Sequence, residues 1–309
     1  MQLPEEVRRK IEERAASVGF AALKRAAVEI SSAYREGRAL ALETPERVAA
    51  YLVTRMPATY AAADAVLREV RERLGGATVE STLDVGAGSG GASLAAKQWL
   101  KPKQLTLLER HSAIAGFARD LLPEAEIRLE DFTRTTKFPQ HDVVIASYAL
   151  GEASAAHVIS RLWDAARVAV IVIEPGTPRG FALIREIRSQ LLACGAHMLA
   201  PCPRADACPI IEPDWCHFAA RVERTSLHRR VKEAELNYED EKFSYVAFTR
   251  EEVLLPAARI VRRPLHQPGL ITLETCTPRG IETVRATKRD RAMFRSARRA
   301  DWGDAFGSV

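Results

Sequence analysis

The stretch Leu83-Asp84-Val85-Gly86-Ala87-Gly88-Ser89-Gly90-Gly91 decides the fold. It follows an apolar run over 81–85 and opens a helical stretch near 90–100. Glycines at such a junction let the backbone turn tightly and approach a ligand that any side chain would block. A dinucleotide fingerprint wants Gly-x-Gly-x-x-Gly, with a pyrophosphate on the helix N-terminus. Gly86, Gly88 and Gly90 read Gly-x-Gly-x-Gly, although Gly91 also completes the other spacing. Asp84 separates the two readings. A carboxylate there accepts from a cationic amino group, whereas beside a pyrophosphate it would repel.

Downstream, apolar runs at 104–109, 127–130, 142–147 and 168–174 alternate with helical stretches around 111–122, 154–166 and 179–194. That alternation predicts a doubly wound α/β domain with a parallel sheet buried on both faces. Upstream, residues 1–75 read as helices. Val7, Ile11, Ala15 and Val18 recur at helical spacing, and Gly37 ends a second helical pattern. Thr44 and Pro45 open the next helix, Pro57 interrupts it, and a further one runs over 60–74. Residues 196–241 hold no period, and read as an insertion before the final strands of the same sheet at 243–248, 259–261 and 270–275. Residues 281–302 read as basic and mostly helical. The expected division is therefore 1–75 helical, 76–250 α/β with the insertion 196–241, and 251–309 as C-terminal strands and basic tail.

The chain of 309 residues is 47% hydrophobic and 28% charged, which excludes a disordered or collagen-like chain. Five cysteines are too few for a secreted disulfide scaffold. No apolar run reaches the roughly 18 residues of a membrane span, and the charged, helical start is unlike a signal peptide. A cytoplasmic protein with no membrane partner is expected. The net charge of +5 is unevenly spread, since residues 257–300 carry eleven basic groups against three acids. That patch suits an anionic partner, RNA first.

The glycine loop with Asp84 resembles motif I of the class I S-adenosylmethionine-dependent methyltransferases. Two further acids fall where that reading needs them. Glu109 ends the second strand, where a carboxylate accepts from both ribose hydroxyls. Asp131 follows the third, where it accepts from an adenine amino group while Phe132 packs on the ring. The acceptor stretch reads Ile145-Ala146-Ser147-Tyr148-Ala149-Leu150-Gly151-Glu152. It is neither Asn/Asp-Pro-Pro-Tyr nor a stretch with a nucleophilic cysteine. Glu152 reads equally as a general base or a helix N-cap, so no catalytic residue is assigned.

Cys202, Cys208 and Cys216 fall within fifteen residues of proline-rich chain, and Cys276 follows sixty residues later. A loop with so little apolar content suits a metal centre that supplies its order. Spacing leaves zinc and an iron–sulfur cluster both open, because paired Cys-x2-Cys knuckles are absent. Cys194 ends an apolar helix and reads as a buried, inert thiol. Two basic runs stand out. One comprises Arg221, Arg224, His228, Arg229, Arg230 and Lys232. The other comprises Arg285, Lys288, Arg289, Arg291, Arg295, Arg298 and Arg299, spaced for one side of a helix, with only Asp290 among them. The second run is the better candidate for phosphate contact.

The chain as a whole resembles the methyltransferase-like proteins of the mitochondrial small ribosomal subunit and their bacterial homologues. The resemblance rests on the glycine loop, Arg55-Met56-Pro57-Ala58-Thr59-Tyr60 and Glu174-Pro175-Gly176-Thr177-Pro178. It rests also on Pro201-Cys202-Pro203, Trp215-Cys216-His217-Phe218, the run over 238–245 and Asp301-Trp302-Gly303-Asp304. It implies a Rossmann-like class I methyltransferase fold with an N-terminal helical domain and a Cys-rich metal-binding insertion. It implies a [4Fe–4S] cluster on Cys202, Cys208, Cys216 and Cys276, with zinc as the alternative. The implied partners are small-subunit rRNA and ribosomal proteins, met by a monomer, and the absence of an organelle-type leader suits a bacterial homologue. Its activity is either rRNA methyl transfer or, given the missing acceptor motif, a catalytically inactive assembly scaffold. A small-molecule methyltransferase with structural zinc is the remote alternative.

Overall fold

The computed structural model describes residues 1–36, 41–151 and 156–307. Gly37 and Glu152 lie outside the described residues. Four helices come first, α1 (Glu5–Ala16), α2 (Phe20–Arg35), α3 (Pro45–Thr54) and α4 (Met56–Arg73). Thr44 caps α3 by accepting from the Arg47 amide. Pro57 lies in the first turn of α4 instead of breaking a helix, so the junction falls at Arg55. A proline costs nothing there, because that amide has no intrahelical acceptor.

The chain then alternates through β1 (Ser81–Val85), α5 (Gly91–Trp99), β2 (Gln104–Leu108), α6 (Ser112–Leu121), β3 (Glu126–Arg128) and β4 (His141–Ser147). It continues through α7 (Ile159–Ala165), β5 (Ala166–Pro175), α8 (Pro178–Ala193), β6 (His197–Ala200), β7 (Phe218–Glu223), α9 (Ser226–Lys232) and β8 (Tyr238–Thr249). The sheet order is β3-β2-β1-β4-β5-β8-β6, with β7 also on β8. Strands β1 to β5 run parallel, and β8 is antiparallel to its neighbours. This is the Rossmann-like class I methyltransferase fold. Alternate residues of the central strands feed two cores. Val143, Ile145, Ile171 and Ile173 face a core shared with α1 to α5, and Val144, Ala146, Val170 and Val172 face one shared with α7 and α8. The N-terminal helices are thus packed onto the sheet.

The last quarter of the chain differs from expectation. β9 (Ala258–Ile260), β10 (Leu265–Gln267), β11 (Leu270–Thr277), β12 (Gly280–Thr287) and, after α10 (Arg291–Arg299), β13 (Ala305–Phe306) form a second, five-stranded sheet. The runs at 259–261 and 270–275 therefore do not complete the first sheet. Residues 280–287 are a strand, because Val284 and Ala286 alternate into a small core with Ile271, Leu273, Phe294 and Ala297. Within 196–241, β6, β7 and α9 are regular, and the irregular chain is confined to 201–217. Cys194 is exposed, not buried, because it is the C-cap of α8, whose inward face ends at Leu191. Among the described residues no helix is long and apolar enough to cross a membrane.

Candidate functional site

Gly86, Gly88 and Gly90 all have positive φ, at 68°, 56° and 81°. The amides of Gly86 and Ala87 both donate to the Leu108 carbonyl, which folds the loop back over the end of β2. A Cβ on Gly86 would stand 2.6 Å from that of Ala149, so the loop and the acceptor stretch after β4 are in direct contact.

The loop lines a cleft of about 1240 Å³, counting its solvent-open part. Asp84, Gly86, Gly88, Glu109 and Phe132 are on its wall, as are Glu130, Ser147 and Tyr148. Gly90 and Asp131 are not. Gly90 is the left-handed N-cap of α5, packed near Leu122. Asp131 accepts from the amide and hydroxyl of Thr133, which together with Arg110 and Arg134 holds its carboxyl below the usual range. The opposite wall comes from the N-terminal helices, with Tyr34, Tyr51, Arg55 and Thr59.

The carboxylates of the cleft are held firmly. Glu109 accepts from the amides of Gly88 (2.9 Å) and His111 (2.8 Å). Asp84 is 1% exposed and accepts from the Ser93 hydroxyl at 2.6 Å through Oδ2. Burial pushes Asp84 up to about 7, against the Ser93 hydrogen bonds and with help from the charge of Glu109. Asp84 Oδ1, Ser89 Oγ and Ser147 Oγ are buried without a partner among the described residues. Each such orphan costs about 1–3 kcal/mol, and all three belong to residues that line this cleft.

A second cavity collects all four predicted cysteines, Cys202, Cys208, Cys216 and Cys276, beside Arg188, Arg204 and Arg259. Burial raises the Cys202 thiol, raises Cys216 well above its ordinary value and pushes Cys276 up to about 12. Among the described residues no three of His, Cys, Asp and Glu are grouped so as to hold a metal ion. Arg188 donates to the carbonyls of Arg204 (3.0 Å) and Asp206 (2.6 Å), and its buried Nε has no partner among the described residues. Arg259 is 2% exposed. It donates to the carbonyls of Pro201 and Gly303 and to Glu69 of α4. Nothing in the spacing of either arginine announced this role.

The two basic runs separate. Arg221, Arg224 and Lys232 are paired with Asp240 and Glu239. Arg285, Lys288, Arg289, Arg291, Arg295, Arg298 and Arg299 are all exposed, and none pairs with an acid among the described residues. They do not share one helix. Arg285 is on β12, Lys288 and Arg289 follow it, and only the last four are on α10.

A family described as Mitochondrial small ribosomal subunit Rsm22 matches residues 45–307. The chain belongs to the Rsm22 family. One relative is the human protein "Ribosome assembly protein METTL17, mitochondrial", 24% identical over 82% of this chain and 61% of that protein. Another is "Rsm22-cox11 tandem protein 2, mitochondrial" of Schizosaccharomyces pombe, 24% identical over 85% of this chain and 43% of that protein. The chain thus spans less than two thirds of the length of either. Among solved structures, the magnesium protoporphyrin IX methyltransferase of Synechocystis PCC 6803 aligns with TM-score 0.41 and 15% identity, over 63% of this chain and 80% of that one.

Proposed function

We propose that the chain is a small-subunit assembly factor that binds S-adenosylmethionine in the glycine-loop cleft and docks on rRNA through its unpaired arginines and lysine. The observation that carries the reading is the trio of unpartnered buried atoms on Asp84, Ser89 and Ser147, three residues that line that cleft. A cationic amino group beside Asp84 would satisfy the orphan oxygen and its charge together. Glu109, already fixed by two amides, has lone pairs left for ribose hydroxyls. Membership of the family, and a relative named for ribosome assembly, support small-subunit rRNA and ribosomal proteins as partners. We place it in the cytoplasm as a monomer, although both relatives are named mitochondrial.

We read the cysteine cavity as the seat of a [4Fe–4S] cluster, with zinc as the alternative. All four cysteines line the one cavity, and a four-iron cluster takes four thiolates. Cys202, Cys208, Cys216 and Cys276 would hold it, and when bound it supplies order to the irregular chain at 201–217. Anaerobically purified protein should contain about four irons per chain by the four-thiolate rule, with Cys194→Ser unaffected. It should co-sediment with small subunits, and Cys202→Ser with Cys216→Ser should lose both properties. Stoichiometric zinc without iron would sink the cluster, and no retention on small subunits would sink the factor.

A further inference from the structure

Methyl transfer needs a nucleophile to reach the cofactor past the end of β4, and the side chains there are tied to one another. Tyr148 is there in the left-handed region, at φ 57°, which costs a non-glycine residue about 1–3 kcal/mol. The segment is pinned in place. The Tyr148 amide donates to the Ile173 carbonyl at 2.7 Å, and the amides of Leu150 and Gly151 both donate to Glu174 Oε1 at 3.1 Å. So held, the Tyr148 side chain lines the cleft and its hydroxyl donates to Glu241 Oε1 of β8 at 3.0 Å. Arg55 donates to both oxygens of the same carboxylate, at 3.3 and 3.5 Å. Its guanidinium lies 4.0 Å from the centre of the Tyr34 ring, which also faces the cleft.

These four groups come from α2, the α3–α4 junction, the end of β4 and β8, and they close on one another. The Arg55 and Glu241 side chains are only 12% and 11% exposed, so their pairing is little weakened by solvent. Burial, reinforced by Glu241, keeps the Tyr148 phenol protonated and hence a donor. We propose that Tyr148 and Glu241 are positioning residues that lock the acceptor side of the cofactor cleft. The chain Tyr148–Glu241–Arg55–Tyr34 walls a bound cofactor off from any nucleic-acid base, so this state carries S-adenosylmethionine without transferring its methyl group. The inference rests on the cofactor reading above and gives the cleft a different use, in which the cofactor is a retained ligand.

The wall predicts slow exchange of ligand, which can be read without any acceptor. S-adenosylhomocysteine bound to the full chain is displaced in a stopped-flow experiment, in wild type, Tyr148→Phe, Glu241→Gln and the double variant. Tyr148→Phe removes only one hydroxyl and leaves the ring in place. Each single variant should release the probe roughly tenfold faster, the size expected for a lost hydrogen bond to a charged group. The double variant should be little faster than the faster single, because both changes break one wall. Melting temperature separates this from general loosening, since Tyr148→Phe should lower it by only a few degrees, roughly the loss of one hydrogen bond. Release within about twofold of wild type in every variant, or speeding in proportion to lost melting temperature, overturns the wall. Wild-type protein that binds no S-adenosylhomocysteine overturns the cofactor reading itself.

Discussion

The glycine-loop cleft and the cysteine cavity are each lined by residues with buried polar atoms that no described neighbour satisfies, but they are built from different material. The cleft stands on regular elements, and its loop is fixed by its own amides on Leu108 and Glu109. The cavity stands on irregular chain at 201–217, stapled from outside by Arg188 of α8 and Arg259 of β9. A site framed by backbone keeps its shape when a ligand-facing side chain changes. A site framed by two buried cations loses its shape when either is removed. Substitutions in the two places should therefore fail in different ways.

The largest effect should be at the cavity. Arg259→Ala removes donors to Pro201 and Gly303 and deprives Glu69 of one cation. Breaking a buried pair in this way costs about 3–5 kcal/mol. Urea denaturation should show that loss together with release of any bound iron, and a loss under about 1 kcal/mol would mean the staple is not structural. At the cleft, Gly86→Ala should cost about 2–4 kcal/mol, part backbone strain at φ 68° and part the collision with Ala149. Unlike the first variant it should keep its iron while losing S-adenosylmethionine binding in calorimetry.

A milder change separates charge from shape within the cleft. Asp84 has its folded pKa raised to about 7, chiefly by burial, above the ordinary carboxylate value. The stability it contributes is thus complete below about pH 4 and lost as pH rises through about 7. Cofactor-free protein should lose about 1.4 kcal/mol from this group between pH 6 and 8. Asp84→Asn should remove that part of the slope, seen as melting curves at the two pH values that lie closer together. Binding of the cationic cofactor at pH 6 should release a proton in wild type and not in Asp84→Asn. The check is calorimetry in two buffers of different ionisation enthalpy.

What could be read from the chain follows the same division. The parallel strands and the glycine loop were legible because a buried strand and a strand–helix turn leave local marks, in the apolar run and in Gly86, Gly88 and Gly90. The four cysteines could be grouped by type, but Arg188 and Arg259 could not, since nothing local distinguishes a buried arginine from a solvated one. Tyr148 was in view as part of the acceptor stretch. Its left-handed backbone was not, because Ile173 and Glu174 impose it from another strand. The strand at 280–287 did leave a mark, the turn Thr277-Pro278-Arg279-Gly280 followed by Ile281, Thr283, Arg285 and Thr287 alternating with Glu282, Val284 and Ala286. Basic residues three and four apart outweighed that alternation and produced a helix on paper.

That strand gives the smallest and most discriminating test, because it divides the arginines between two faces of the second sheet. Cross-strand partners share a face, and Cys276 pairs with Ile281 while Thr272 pairs with Arg285. Positions 272 and 276 are an even number apart, so Arg285 is on the face that carries Cys276. Helix α10 covers the other face, through Phe294 and Ala297 against Ile271, Leu273 and Ala286. RNA lying on α10 alone would leave Arg285 uninvolved, whereas RNA reaching round to the cysteine side would use it. Arg291, Arg295 and Arg298 changed together to Ala should flatten the log–log salt dependence of small-subunit RNA binding by about two to three units. Arg285→Ala should flatten it by about one more, roughly 0.8 kcal/mol over a fourfold change in salt. Both variants should keep wild-type iron and melting temperature, since all four side chains are exposed. An unchanged slope for Arg285→Ala beside a flattened one for the triple variant would confine the RNA to the α10 face and detach the cysteine cavity from it. An unchanged slope in both would leave α10 a solvated face and remove the second sheet from the interface altogether.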